Sequence, residues 1–175
     1  YALVNGRKVH YRRWGSGPAI LAIHGSPQSS RTMEPLGQRL AQAGFCVIAP
    51  DTPGNGLSSP LNVVGSASTV HYAQALLDFA DAIGLGRFAI YGFHTGATIA
   101  STLAVRNPER VTALACDGLP SWTSDERQSI LQGYLPHFEA SWDASHMCWL
   151  WARLEEQTVF FPWQMTNDQH RMVYD

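Results

Sequence analysis

Short apolar runs alternate with amphipathic stretches along the first two thirds of the chain. In four runs the residues at both odd and even positions are largely apolar, which predicts strands buried on both faces of a sheet. These runs cover residues 19–23, 45–49, 88–91 and 111–116. Apolar residues at helical spacing predict helices between them, over residues 33–43, 70–83 and 97–106. The alternation predicts an α/β fold with a doubly wound, mostly parallel sheet covered by helices on both faces.

The two ends of the sequence differ from this central pattern. Asn5-Gly6 followed by alternating residues as far as Trp14 predicts a hairpin at the start. After Pro120 the composition changes, because the last 55 residues hold 10 of the 19 aromatic residues and no comparable strand run. Thr123 and Glu126 have capping-box spacing, which indicates a helix start. We therefore predict a sheet core over residues 1–119, with its first six strands, and a helical cap over residues 120–175.

Charge and cysteine content narrow the choice of partners. The 175 residues carry 12 basic and 14 acidic side chains, a formal net charge of -2, without any basic run. This argues against nucleic acid and anionic membrane as partners and leaves a small molecule as the expected one. No apolar run approaches the roughly 20 residues of a membrane-spanning helix. The three cysteines lack metal-ligand spacing, so we expect no metal and a reduced, cytoplasmic location. The first strand-to-helix junction lacks a Gly-x-Gly-x-x-Gly pattern, and we expect no cofactor.

Polar or glycine-rich segments follow the predicted strands, at the sheet edge where α/β proteins hold their ligands. In Gly92-Phe93-His94-Thr95-Gly96, a central histidine lies between a strand and a helix, with a glycine two positions away on either side. Such glycines allow a strand and a helix to approach closely around a sharp turn. Histidine is among the residue types enriched at positive φ. We therefore predict that His94 occupies the apex of a strand-to-helix turn.

These segments resemble the α/β-hydrolase superfamily, and most closely its epoxide hydrolases and haloalkane dehalogenases. Residues 21–27 are similar to the His-Gly-x-Pro oxyanion segment of those enzymes, and residues 49–58 to their Asp-x-x-Gly-x-Gly-x-Ser loop. The resemblance covers about residues 5–119 and implies an eight-stranded fold with a helical cap inserted after the sixth strand. It also implies an oxyanion hole formed by the backbone N–H groups of Ser26 and Thr95. The supporting residues that it implies are His24, Gly25, Pro27, Gly92 and Gly96.

Two departures from the family pattern shape the functional hypotheses. The family places Ser or Asp at the turn where this chain has His94, and its base histidine follows the eighth strand. The resemblance thus implies an incomplete fold that ends within the cap, without that histidine. In one hypothesis the His94 imidazole is itself the base or the nucleophile, since an imidazole is largely neutral near pH 7, and Asp117 orients an imidazole. In the other, the fold persists as a small-ligand binder without catalysis.

The predicted function is hydrolysis of a small, largely apolar ester, epoxide or related electrophile. Aromatic residues of the cap are expected to cover the substrate, although they could equally form the core of the cap. The predicted lid residues are Trp142, Trp149, Trp151, Phe160 and Phe161. If strands seven and eight are missing, the sixth strand becomes an exposed edge, which predicts self-association or a need for a completing partner.

Overall fold

The computed structural model describes residues 1–133 and 140–149, and this part of the chain includes seven strands and four α-helices. The strands are β1 (Ala2–Val4), β2 (Arg7–Val9), β3 (Tyr11–Trp14), β4 (Ala19–Ile23), β5 (Cys46–Pro50), β6 (Phe88–Phe93) and β7 (Val111–Asp117). The helices are α1 (Glu34–Gln42), α2 (Thr69–Ala82), α3 (Thr95–Arg106) and α4 (Ser124–Gly133).

Five of these strands form the main sheet, in the order β3-β5-β4-β6-β7. Strands β5, β4, β6 and β7 run parallel to one another, and β3 pairs antiparallel with β5. Helices connect the parallel strands, because a parallel neighbour can be reached only by a crossover. The predicted α/β fold with a mostly parallel sheet is confirmed.

The opening hairpin is shorter than the sequence predicted. β1 and β2 pair around Asn5 and Gly6, both at positive φ, but the alternating residues beyond them do not extend this hairpin. They form β3, which joins the main sheet beside β5. The Tyr11 ring packs edge-on against Phe79 of α2 at a centroid distance of 5.3 Å, so packing against the core determines where β3 lies.

Side chains from the two faces of the sheet form two buried clusters. On one face, Leu21, Ile23 and Ile90 pack with residues of α2 and α3, including Phe79 and Leu103. On the other face, a smaller cluster joins the sheet to the start of α1; its buried members are Ala22, Met33, Val47 and Ala49. Burial on both faces of the sheet explains why the strands are apolar at both odd and even positions. The layering holds the carboxyl ends of β4, β5 and β6 at one edge.

The described residues divide into two compact units, one ending at Pro120 and the other beginning at Ser121. In the second unit the Thr123 hydroxyl accepts from the Glu126 N–H, and the Glu126 carboxylate accepts from the Thr123 N–H at 2.8 Å. The predicted capping box is therefore present, and α4 begins directly after it. That the second unit is a cap remains a prediction.

β7 lies at one edge of the main sheet, and most of its residues are exposed. Leu114 in the middle of the strand is 44% exposed, which is high for an apolar residue in a sheet. Self-association through this edge remains a prediction. None of the helices in the described part of the chain is long and apolar enough to span a membrane.

Candidate functional site

His24 links the loops that follow β4 and β5. It is 1% exposed, its Nδ1 lies 2.8 Å from the carbonyl oxygen of Gly25, and its Nε2 accepts from the Thr52 N–H at 2.9 Å. Because Nε2 is an acceptor, the proton must be on Nδ1, which donates it to Gly25. His24 is thus a neutral, fully engaged group in one tautomer.

This environment predicts a histidine that resists protonation. Burial lowers the pKa of His24 more than its hydrogen bond to Gly25 and the charge of Asp51 raise it. The folded state therefore binds a proton less readily than the unfolded state, so its stability should fall as the pH drops below 6.5, the ordinary value. We expect nitrogen NMR to show the Nδ1–H form persisting at a pH where exposed imidazoles are cationic. Protonation of His24 together with those exposed imidazoles would contradict this assignment.

Asp51 holds three segments together from the end of β5. It is 2% exposed; one carboxylate oxygen accepts from the Ser30 N–H at 2.7 Å, and the other from Leu57 N–H and His10 Nδ1, both at 2.9 Å. Burial by itself would raise the pKa of this carboxyl, but the hydrogen bonds from Leu57, Ser30 and His10 outweigh it and lower the pKa. Asp51 is an ionised anchor of the loop.

His94 stands at the turn between β6 and α3. Its backbone has φ 52° and ψ −116°, its side chain is exposed, and its N–H donates to the Asp117 carbonyl at 2.7 Å. The imidazole Nδ1 lies 3.3 Å from the Thr95 hydroxyl. A non-glycine residue at this φ is uncommon and marks a turn held by its surroundings. The predicted strand-to-helix turn with His94 at its apex is therefore present.

The two flanking glycines permit this turn because neither has room for a side chain. A β-carbon at Gly92 would lie 2.6 Å from the Ala97 nitrogen, and one at Gly96 would lie 2.6 Å from the His24 carbonyl oxygen and closer still to that of Ile23. Gly25 also packs on the turn, because its β-carbon would lie 3.2 Å from the His94 Cβ. The loop after β4 is thereby held directly against His94.

Asp117 is the last residue of β7, and its carboxylate is engaged with a tyrosine. The Tyr91 hydroxyl donates to Asp117 Oδ2 at 2.9 Å. Burial and the neighbouring carboxylate raise the pKa of Tyr91 to about 12, so the hydroxyl keeps its proton as the donor. Asp117 contacts His94 through its backbone carbonyl, and its side chain is bound to Tyr91. A role for Asp117 in orienting an imidazole stays a prediction.

A cavity of about 240 Å³ lies beside the turn and brings the two predicted oxyanion residues together. Ser26 and Thr95 both line it. The other lining residues are His24, Thr52, Asn55, Ala67, Ser68, Thr69, Tyr72 and Ile99. Polar side chains on this wall stand beside a larger share of apolar surface. The substrate class stays a prediction. Pro27 follows Ser26 through a cis peptide bond, and the Gln28 N–H closes that turn onto the Gly25 carbonyl at 2.9 Å.

A second cavity, of about 470 Å³, lies at the opposite edge of the sheet. Its walls include Ala19 and Cys46 at the beginnings of β4 and β5, and Leu85 before β6. These are the amino ends of parallel strands, away from the loops that hold His94. We therefore locate the candidate site at the smaller cavity.

The predicted lid residues fall partly outside the described structure. Trp142 is 99% exposed and Trp149 is 41% exposed. Trp151, Phe160 and Phe161 lie outside the described residues. Coverage of a substrate by these side chains stays a prediction. Among residues 1–133 and 140–149, no three His, Cys, Asp or Glu side chains are placed to hold a metal ion.

Sequence reasoning missed several residues of the site. Asn55 donates to the Thr52 hydroxyl at 3.0 Å, and that hydroxyl lies 3.2 Å from His24 Nε2. Tyr72 reaches the cavity from α2. Their positions after a strand and in the first turn of a helix were visible in the sequence, but their partners depend on the folded loops.

Comparison with known proteins decides the family. A model of the alpha/beta hydrolase fold matches residues 18–140. The chain belongs to this family. The match spans the main parallel strands, the His94 turn and the loops around the cavity of this α/β-hydrolase.

The similar proteins include several epoxide hydrolases. One from Caballeronia sordidicola is 33% identical over 122 residues, which cover 70% of this chain and 37% of that protein. The bifunctional epoxide hydrolase 2 of Sus scrofa is 32% identical over 133 residues, 75% of this chain and 24% of that protein. A solved structure of a Vigna radiata epoxide hydrolase mutant aligns with a TM-score of 0.65 at 27% identity, covering 73% of this chain and 42% of that one. The matched region of this α/β-hydrolase therefore spans between about a quarter and somewhat more than a third of the length of the two curated relatives.

Proposed function

We propose that this α/β-hydrolase hydrolyses small esters, with the imidazole of His94 as the attacking group. The observation that carries the proposal is the exposed imidazole at the apex of the turn, held at φ 52° by two glycines that tolerate no side chain. A strained backbone that presents a nucleophilic side chain over a sheet edge is the geometry of a nucleophile elbow.

The reaction can proceed in two steps without a second histidine. An imidazole nitrogen attacks the ester carbonyl carbon and forms a C–N bond, and the alcohol leaves with the proton that the imidazole releases. Water then cleaves the acyl-imidazole bond, which yields the carboxylic acid and restores the neutral ring. A His94 that takes a proton from water instead would act as a general base, without an acyl intermediate.

The surroundings of His94 supply groups that suit this chemistry. Thr95 is the first residue of α3, so its N–H has no acceptor within the helix. Ser26 lies on the same cavity, in the loop that Gly25 packs against His94. Backbone N–H groups of these two residues would stabilise the developing oxyanion, and removal of one such donor from an acyl-transfer enzyme typically costs about 2.7–4 kcal/mol.

Ester chemistry suits a histidine nucleophile better than epoxide chemistry does. Attack of imidazole on an epoxide carbon opens the ring but leaves an alkyl C–N bond, which water does not readily cleave. An epoxide should therefore label His94 once and stop. This expected outcome distinguishes the present chain from the epoxide hydrolases that it resembles.

His94→Asn tests the proposal, because asparagine tolerates positive φ while it lacks the imidazole. We expect the variant to lose at least about 100-fold in kcat/KM for p-nitrophenyl acetate, the lower range for a lost acid–base or nucleophilic group. His146→Asn in the second unit serves as the control for nonspecific imidazole esterolysis and should keep the wild-type rate. Intact mass after brief mixing should reveal an acyl adduct, and after styrene oxide a permanent one, on the wild type and on His146→Asn but not on His94→Asn.

The competing hypothesis is a binder without catalysis. Unchanged ester turnover in His94→Asn, together with no adduct from either reagent on the wild type, would reject the proposed reaction. Ester turnover that depends on His94 without an acyl adduct would assign the base role instead.

A further inference from the structure

Several hydroxyl groups on the wall of the 240 Å³ cavity have no partner in the described structure. The hydroxyls of Ser26, Thr69 and Tyr72 form no hydrogen bond with any residue of the described part of the chain. Their neighbours differ, because the Ser68 hydroxyl bonds to His71 Nδ1 at 3.0 Å and the Thr52 hydroxyl bonds to Asn55 and His24. The cavity thus combines satisfied polar groups with three that remain available.

Two of the three available hydroxyls share one helix turn. Thr69 is the first residue of α2, and Tyr72 follows three positions later, a spacing that places both on the same side of the helix. Ser26 reaches the cavity from the loop after β4. The three residues that carry these hydroxyls therefore line the cavity from two separate elements.

The described part of the cavity wall carries no formal charge. Among residues 1–133 and 140–149, no Asp, Glu, Lys or Arg lines the cavity, and His24 is held neutral because its Nε2 accepts from the Thr52 N–H. A charged ligand group would lose its hydration here without gaining a counter-charge, which is unfavourable. A neutral hydrogen-bonding group would lose little, because hydroxyls can serve as donors or acceptors.

We propose that Ser26, Thr69 and Tyr72 select a neutral, hydroxyl-bearing ester as the substrate. This inference rests on the proposed ester hydrolysis and specifies its substrate class. It adds a hydroxyl group to the small, largely apolar ester that the sequence predicted. Thr69 and Tyr72 act as specificity-determining residues, and they take no part in the bond-breaking steps.

A matched pair of esters tests the inference in the full chain. The p-nitrophenyl esters of 3-hydroxybutanoic and 3-methylbutanoic acid differ only in a hydroxyl that replaces a methyl group. For each ester, kcat/KM is divided by the rate constant for its hydrolysis by free imidazole, which corrects for the intrinsic reactivity of the ester. We expect this corrected kcat/KM to favour the hydroxy ester by about tenfold. Thr69→Val and Tyr72→Phe should each reduce that preference by about threefold or more. Thr102→Val on α3 and Tyr11→Phe on β3 are controls of the same chemistry away from this cavity, and they should preserve the preference.

A binding measurement separates failure of this inference from failure of the proposed reaction. The corresponding amides, 3-hydroxybutanamide and 3-methylbutanamide, resist hydrolysis, and their affinities can be compared by NMR titration. If neither ester is turned over but the hydroxy amide binds about tenfold more tightly, the selectivity stands and the catalytic proposal falls. If both esters are hydrolysed at equal normalised rates and both amides bind equally, the selectivity is wrong while the catalytic proposal stands. Absence of both turnover and amide binding would overturn both.

Discussion

Replacing Gly96 by alanine is expected to destabilise the folded chain by about 3 kcal/mol, at the upper end of the range for overpacking. The added β-carbon would lie 2.6 Å from the His24 carbonyl oxygen and closer to the Ile23 carbonyl oxygen. Both obstacles are backbone atoms at the end of β4, so relief requires that α3 and the strand move apart. Urea denaturation followed by circular dichroism measures the loss.

Gly86→Ala provides the matched control for this substitution. Gly86 precedes β6, has no positive φ, and would place a β-carbon with no atom within 4 Å. An alanine there should leave the unfolding free energy within about 0.5 kcal/mol or raise it slightly. Equal effects of the two substitutions would show that the close approach at Gly96 is not the cause.

Replacing Asp51 by alanine should lower the free energy of unfolding by about 3 kcal/mol or more. The carboxylate accepts from the N–H groups of Ser30 and Leu57 and from His10, and alanine leaves these donors without an acceptor. The Ser30 N–H is buried and the other two donors are partly buried, and a buried donor left unsatisfied costs about 1–3 kcal/mol. Asp81→Ala is the control, since this exposed carboxylate pairs with Arg110 at the surface, where an ion pair contributes at most about 1 kcal/mol.

The Asp51 effect also has a defined dependence on pH. The folded state lowers the pKa of this carboxyl below 3.8, so its stabilisation is complete above about pH 3.8 and is lost as the pH falls through the lower folded value. The stability difference between wild type and Asp51→Ala should therefore be constant near neutrality and shrink in acid. A difference that stays constant down to pH 2 would show that the carboxylate charge is not involved.

The periodicity of the sequence predicted the sheet because its strands are buried on both faces. The strand at residues 19–23 and the turn around His94 follow from the hydrophobicity and size of neighbouring residues. These properties can be seen directly in the sequence. The start of α3 at Thr95 rather than Ala97 follows from the turn itself. Local chemistry was therefore sufficient for the strands, for the turn and for the capping box at Thr123.

Long-range partners were beyond the sequence pattern. Nothing local indicates that the Tyr91 hydroxyl donates to Asp117, 26 residues away, or that Asp51 accepts from Ser30. The short 3-10 helix Ser30–Met33 was also unforeseen, and Ser29 caps it with a side-chain hydrogen bond to the Arg31 N–H. Its start depends on Asp51 as well as on local propensity. The hydroxyl-bearing residues at the cavity escaped prediction for the same reason, since Thr69 and Tyr72 belong to an otherwise amphipathic helix.

Because the single carboxylate of Asp51 binds the segments at His10, Ser30 and Leu57 simultaneously, these segments are ordered before any ligand arrives. Loops that are already ordered lose little conformational entropy when a ligand binds, so less of the binding free energy is spent on ordering them. A preorganised site of this kind can be selective for a small molecule whose few contacts could not otherwise order the loops around it.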